Sequence, residues 1–483
     1  MTPAASAGFT PDPRLAWWTR SRFGLFVHWG PYSIAGVEAS WPIMEPGLVA
    51  PIGSHQKIAE ADYLELAQRF DPRAFDADRW VASARAAGMR YIVLTSKHHD
   101  GYCLFDAPSR DGYKSTASPA GRDLVAELAE ACDRADLPFG VYYSPPDLHH
   151  PAYRDTSRPA RENWWGEPER PQWSEYLDAM EADLRHLLTA YGDLAVLWFD
   201  GLFAHDQYDP ARFHRLVQEL SPKTLVNDRL GAHLADYVTP EQTTLTGIPV
   251  RRAADAPEVT LEQFQGFVRL LENGATAEQL ATLFAGAQRS RFPTEPMPSP
   301  ERFQPWETCM TIGRTWAFDP QETDYKSTRQ LIETLVQTAS CGGNLLLNVG
   351  PRPDGTWPQP IEQRLAEVGR WLDRYGEAIY GTTWATGWGP LDRLDDLRTT
   401  QRGDTTYVFL AGDGSAAESI RLPRIGPADA EDDLPRVTWL GTDSALPARW
   451  SEDRSQLEVA VDRSVGSSGP GAVLEVRSGA PSR

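Results

Sequence analysis

Leu194-Ala-Val-Leu-Trp-Phe-Asp-Gly201 is the stretch on which the reading of this chain turns. An apolar and aromatic run meets an acid and then a glycine. A short apolar run bounded by turn residues is the pattern of a strand buried on both faces, as in parallel sheets. Asp200 then stands at the carboxyl end of that strand, beside Trp198. In barrel enzymes the loops at this end converge on one mouth and the chemistry is built there. A carboxylate closing a dry strand costs free energy unless its charge is paired or used. An aspartate capping the next helix would give the same local sequence, so the rest of the chain has to decide.

Outward from this strand, the same unit recurs. Apolar strands are expected at 22–30, 91–95, 139–144, 225–229, 306–313 and 344–350. Between them, apolar spacing of helical period marks 59–70, 76–87, 121–135, 173–191, 211–220, 327–340 and 362–375, with Asp76 as an N-cap and Gly88 as a stop. Strands alternating with helices over more than 300 residues signal βα units around a parallel sheet. Polar groups at so many strand ends favour a closed (β/α)8-like barrel. The barrel is expected over 1–383, with a helical insertion at about 242–304 built on helices at 260–271 and 276–287. Residues 384–483 change character: short alternating strands at 406–410, 419–422, 436–440, 457–461 and 472–476 read as a C-terminal antiparallel β-sandwich.

Composition mainly excludes partners. The formal net charge is -20, which argues against nucleic acid and against anionic membrane surfaces. The 4 cysteines are dispersed and form neither a disulfide framework nor a zinc motif. No apolar run approaches the ~20 residues of a membrane span, and the first residues lack a secretory pattern, so a cytoplasmic location is the expectation. The composition is compatible with a homo-oligomer.

The strand ends present His28, the pair His98 and His99, Tyr142 with Tyr143, Trp198 with Asp200, and Arg229; Glu241 and Glu307 follow. Each alone has an ordinary structural reading, but together they line one concave mouth. Metal chemistry is set aside because adjacent His98 and His99 should point to opposite faces of an extended chain and no HExxH or HxH motif accompanies them. Phosphate chemistry lacks a glycine-rich cradle. A polar pocket with aromatic walls and at least two carboxylates suits a sugar, the carboxylates serving as nucleophile and general acid.

At this point the residues resemble a known family. RFGLFVHWGPYS at 22–33, SKHHDGYCLF at 96–105, FGVYYSPPD at 139–147, LAVLWFDG at 194–201, LVNDR at 225–229, WETCMTIGRTWAF at 306–318 and GGNLLLNVGPRPDG at 342–355 are similar to glycoside hydrolase family 29, the retaining α-L-fucosidases. The resemblance covers roughly residues 10 to 385 and implies a barrel with a C-terminal sandwich. It implies Asp200 as nucleophile, with His28, His98, His99, one of Tyr142 or Tyr143, Trp198 and Arg229 around the fucose. Trp41 and Trp316 would add aromatic contacts, Trp316 against the sugar's methyl group. Glu241 matches the acid/base of bacterial relatives; Glu307 is the rival. No cofactor or metal is implied, and the substrate would be a fucosylated oligosaccharide or glycoconjugate.

Two departures from the family pattern bear on specificity: the unusually long insertion after Glu241 and the residue before the loop tryptophan. The family usually has glutamate before the loop tryptophan, where this chain has Ser40 before Trp41; a hydroxyl contact is then lost or moved to Glu38. Two alternatives stay open beside the fucosidase: a related glycosidase with altered specificity, such as a galactosidase, and a non-catalytic fucose-binding protein.

Overall fold

The computed structural model describes residues 12–44, 58–200, 205–251, 292–295, 298–299, 301–385, 397–410, 419–423, 434–461 and 472–477. Its centre is a curled sheet of seven parallel strands. In chain order these are β1 (Phe23–Val27), β2 (Ile92–Lys97), β3 (Phe139–Tyr143), β4 (Val196–Phe199) and β5 (Leu225–Val226). Past a two-stranded ribbon of β6 (Ile248–Pro249) and β7 (Thr294–Glu295) come β8 (Glu307–Thr311) and β9 (Asn344–Val349). The spatial order is β5-β4-β3-β2-β1-β9-β8.

The gap between β5 and β8 is spanned by a segment that carries no strand pattern in the sequence. Tyr237 bridges Asn227, and Val238 and Glu241 bridge Trp306 and Cys309, all in the parallel sense. Glu307 N donates to Val238 O at 2.9 Å and Gln242 N to Cys309 O at 2.9 Å. This segment takes the eighth place of a (β/α)8-like barrel and carries Glu241 to its mouth. Its Thr-Pro-Glu sequence hides it, because proline removes a ladder donor.

Every residue of the six longer and medium strands β1, β2, β3, β4, β8 and β9 is buried, and alternation divides them between two cores. Leu25, Val27, Leu94, Val141, Leu197, Leu345 and Leu347 face the surrounding helices. Phe26, Val93, Tyr142, Trp198, Cys309 and Leu346 face the barrel interior. Side chains on one strand change face at each residue, so His28 and Asp200, two positions beyond Phe26 and Trp198, continue the inward series.

Several of the expected helices open at side-chain caps. Asp76 accepts from Arg79 N at 3.0 Å and opens the helix Ala77–Ala86; Gly88, at φ +85, follows its end. Asp123 caps Leu124–Arg134 in the same way, and Ser327 with Gln330 makes a capping box for Thr328–Ser340. The insertion is seen only at its edges, where β6 pairs with β7; the helices expected at 260–271 and 276–287 lie outside the described residues.

The C-terminal region is two antiparallel sheets. One holds β10 (Leu397–Arg402), β11 (Thr405–Leu410), β16 (Val473–Arg477) and β13 (Arg436–Trp439); the other holds β12 (Ser419–Pro423), β15 (Gln456–Ala460) and β14 (Ala448–Trp450). Val408, Val437, Leu474, Ile420, Leu457 and Val459 make one core between them. On the opposite face of the first sheet, Tyr407, Phe409 and Val473 join the outer core of the barrel. The sandwich is thus packed against the barrel, with Arg398 reaching Gln337 of the helix Thr328–Ser340.

Candidate active site

Asp200 follows directly on β4, and its backbone N–H donates to Tyr143 O at 3.2 Å. The Asn227 side chain extends the ladder on the other side: it accepts from Phe199 N and donates to Phe199 O, both at 2.9 Å. The carboxylate is therefore aimed by a strand end clamped from two neighbours. Its Oδ1 accepts from Arg229 Nη1 at 3.1 Å and its Oδ2 from Tyr142 Oη at 2.8 Å. Burial pushes the Asp200 carboxyl above its ordinary value, while Arg229 and the Tyr142 hydroxyl pull it back. These two donors favour the ionised form.

Arg229 holds two acids at once. Its Nη2 reaches Glu241 Oε2 at 2.9 Å, and Thr239 fixes the stem by accepting from Nε at 3.0 Å. The guanidinium also lies 5.1 Å from the Trp198 ring. One planar fork thus sets the separation of Asp200 and Glu241. The Glu241 side chain keeps 26% exposure against 15% for Asp200, so water and a leaving group can reach it.

Three imidazoles complete the polar wall. Asn348 Nδ2 donates to Trp316 O at 2.6 Å, so its Oδ1 is the acceptor for His28 Nδ1 at 2.7 Å. The Ser144 hydroxyl donates to Pro146 O at 2.8 Å and therefore accepts from His99 Nδ1 at 2.5 Å. Burial keeps both rings neutral, with values down at about 3. With Nδ1 protonated, each ring's Nε2 is a lone-pair acceptor. His99 Nε2 is buried, without a hydrogen-bond partner, and 3.6 Å from Asp200 Oδ2: an acceptor waiting for a hydroxyl. His98 Nδ1 meets Ser40 Oγ at 2.6 Å.

The floor is aromatic. His98 stacks on Tyr142 at 3° and 5.5 Å, and Tyr142 on Trp198 at 15° and 5.7 Å. Trp316 packs on His28 at 5.0 Å, and Trp41 approaches His99 edge-on at 6.0 Å. Indole faces beside hydroxyl-binding groups suit a pyranose, which has apolar as well as polar faces.

Of the expected residues, His28, Trp41, His98, His99, Tyr142, Trp198, Asp200, Arg229, Glu241 and Trp316 are brought together. Three open alternatives are narrowed and one expectation is corrected. Tyr143 faces outward: its hydroxyl donates to Asp183 at 3.1 Å and its ring lies under Lys97, so Tyr142 alone enters the pocket. Glu307 heads β8 and lies deep in the barrel, completely buried, with Oε1 taking Trp198 Nε1 at 3.1 Å and Oε2 taking the Tyr91 hydroxyl; it supports the Trp198 indole from below. Glu38 spends both oxygens on the backbone N–H groups of Trp316 and Ala317 and does not replace a hydroxyl contact at position 40. His98 and His99 do not diverge. The register shifts between Thr95 and Lys97 and the strand ends at Lys97, so both rings turn inward with centroids 4.2 Å apart. Ligand-type atoms of His98, His99 and Asp200 lie within 4.8 Å of one another, close enough to share an ion, but the positive charge of Arg229 on Asp200 Oδ1 opposes a cation there. Asn227, Ser144 and Asn348 are the supporting residues that sequence reading passed over.

The chain is similar to known proteins over most of its length. A family model described as Alpha-L-fucosidase matches residues 7–256 and 272–377. The alpha-L-fucosidase of Branchiostoma floridae is 27% identical over 463 residues, covering 91% of this chain and 86% of that protein. Among solved structures, alpha-L-fucosidase isoenzyme 1 from Paenibacillus thiaminolyticus superimposes with a TM-score of 0.73 at 28% identity, covering 97% of this chain and 99% of the other. The Thermotoga maritima alpha-fucosidase in complex with a mechanism-based inhibitor gives 0.69 at 26%, covering 95% and 96%.

Proposed function

The chain belongs to the alpha-L-fucosidase family of glycoside hydrolases, and on that premise we propose that it is a retaining exo-α-L-fucosidase with Asp200 as nucleophile and Glu241 as acid/base. Its substrate is a terminal α-L-fucosyl residue on an oligosaccharide or glycoconjugate. The observation that carries this reading is the Arg229 guanidinium shared by the two carboxylates.

In the first step an Asp200 oxygen attacks the anomeric carbon. The bond to the leaving oxygen breaks, and Glu241 gives that oxygen its proton. The Arg229 contact engages Oε2, which leaves Oε1 to carry the proton. The product is a covalent glycosyl-enzyme with inverted configuration. In the second step Glu241 takes a proton from water, and that water displaces Asp200, restoring the original configuration. His28 and His99 accept sugar hydroxyls through Nε2. The Tyr142 hydroxyl and Arg229 hold the nucleophile in place and stabilise it as a leaving group. A retaining pair stands about 5–5.5 Å apart, the scale at which one guanidinium can touch both members.

Hydrolysis of p-nitrophenyl α-L-fucoside by wild type, Asp200→Ala and Glu241→Ala tests the roles. Loss of Asp200 should cost on the order of 10³-fold or more, and azide should return activity by forming the inverted fucosyl azide. Azide acting on Glu241→Ala should give the retained azide. The opposite configurations would exchange the two roles, and no wild-type turnover on any fucoside, with fucose still bound, would leave a sugar-binding protein.

A further inference from the structure

The loop leading to Trp41 contains a backbone outlier. Ala39 has φ +38, in the left-handed region that residues with a Cβ seldom adopt. Such conformations persist where the surroundings over-determine them, and they gather at functional sites. Both neighbours of Ala39 are committed. Ser40 holds His98 through Nδ1. Glu38, 1% exposed, turns the other way: its Oε1 accepts from Trp316 N at 2.8 Å, and its Oε2 from Trp316 N at 3.0 Å and Ala317 N at 3.3 Å.

Trp316 is gripped from both sides of its backbone. Its N–H goes to Glu38, and its carbonyl accepts from Asn348 Nδ2, whose amide oxygen holds His28. The indole then packs on the His28 ring. A buried carboxylate is an expensive way to satisfy two amides. Burial pushes Glu38 up to about 8 despite those donors, and Asp319 and Glu241 add repulsion. A residue kept under that pressure, beside a strained backbone, has a task that an apolar filler would not perform.

We propose that Glu38 is a positioning residue that fixes Trp316 against His28 and so shapes the aromatic wall of the sugar pocket, acting on substrate through Trp316 and not by contact with it. The inference rests on the fucosidase reading of that pocket. Glu38 and Ser40 lie either side of one strained alanine, so the same turn sets the tryptophan wall and the His98 ring together.

The test is a double-mutant cycle on the full chain with Glu38→Ala, Trp316→Ala and their combination, read as KM and kcat on p-nitrophenyl α-L-fucoside and as Kd for L-fucose. Glu38→Ala should raise KM and Kd by about tenfold, within the range for residues in contact, with a smaller fall in kcat. The combined variant should be no worse than Trp316→Ala alone. Glu38→Gln should recover much of the loss, because its amide oxygen still accepts from Trp316 N. A further tenfold loss on adding Glu38→Ala to Trp316→Ala would overturn the proposal. So would an unchanged KM in the single variant.

A second readout needs no substrate. In protein labelled with 5-fluorotryptophan, the fluorine line of Trp316, assigned by its absence in Trp316→Phe, should shift or broaden in Glu38→Ala and lie close to its wild-type position in Glu38→Gln. A line unmoved in Glu38→Ala contradicts the inference. If wild type fails to bind or hydrolyse any fucoside, the functional reading fails, and the fluorine experiment still decides whether Glu38 positions Trp316.

Discussion

Replacing Glu307 by glutamine should leave the chemistry largely intact and change how stability depends on pH. The Glu307 carboxyl is completely buried and raised from 4.5 to about 7, chiefly by burial, against hydrogen bonds from Tyr91 and Trp198. That displacement is worth about 3 kcal/mol in principle. A carboxyl raised by folding contributes stability that is fully present below pH 4.5 and lost as the pH climbs through 7, because the folded protein holds the proton more tightly than the unfolded chain. Glutamine has the same shape: its oxygen can accept from Trp198 Nε1, and the Tyr91 hydroxyl can rotate to accept from its amide. Removing an ionised group from this site offsets the loss of two charge-assisted bonds, each of about 1.5–3 kcal/mol. The variant should therefore be about as stable as wild type at pH 8. Relative to wild type, thermal melts from pH 4.5 to 8 should lack the Glu307 part of the slope, and kcat/KM should fall by less than about tenfold, since no proton transfer is removed. An unchanged pH slope would refute the burial argument. Collapse of turnover with azide rescue to the retained product would make Glu307 the acid/base.

Other substitutions separate the pocket from its supports. Tyr142→Phe removes a donor to Asp200 and should lower kcat/KM by about 10- to 100-fold, the worth of a hydrogen bond to a charge; the acidic limb of the pH–activity profile should move to higher pH, because the carboxyl loses a group that favours its ionised form. Tyr143→Phe loses only the outward bond to Asp183 and should cost about 1 kcal/mol of stability with activity unchanged; equal kinetic damage from both variants would reject the assignment of faces. Arg229→Lys keeps a charge but not a fork and should lose about 100-fold in kcat/KM; near-wild-type kinetics would show that the shared guanidinium is dispensable.

Much of this site was legible in the sequence because strand ends carry it. The run before Asp200 fixed a buried strand, and parity from Trp198 points Asp200 inward. The same rule applied to Glu307 favours a support over an acid, since it stands at the start of its strand while Asp200 follows the end of its own. What sequence could not supply was register. Tyr142 pairs with Trp198 and Tyr143 with Phe199, a fact set by neighbours far away in the chain, so the two tyrosines look equivalent until the sheet is built. A register shift at the end of β2 turned His98 and His99 the same way, against simple alternation. The eighth position of the barrel escaped notice because a bridge segment with proline has no strand pattern, and β10 because its Thr399-Thr400-Gln401-Arg402 end is polar. Ser144 and Asn348, which fix histidine tautomers, carry no signal of their own; only their partners reveal them.

On the proposed mechanism, Asp200 forms the covalent bond to the sugar. Incubation with 2-deoxy-2-fluoro-α-L-fucosyl fluoride, a substrate whose fluorine slows both steps and whose fluoride leaves readily without acid help, should accumulate the glycosyl-enzyme. Peptide mass mapping should then find one fluorofucosyl group on Asp200 and none in Asp200→Ala. A label on Glu241 or Glu307, or the same label persisting in Asp200→Ala, would contradict the account.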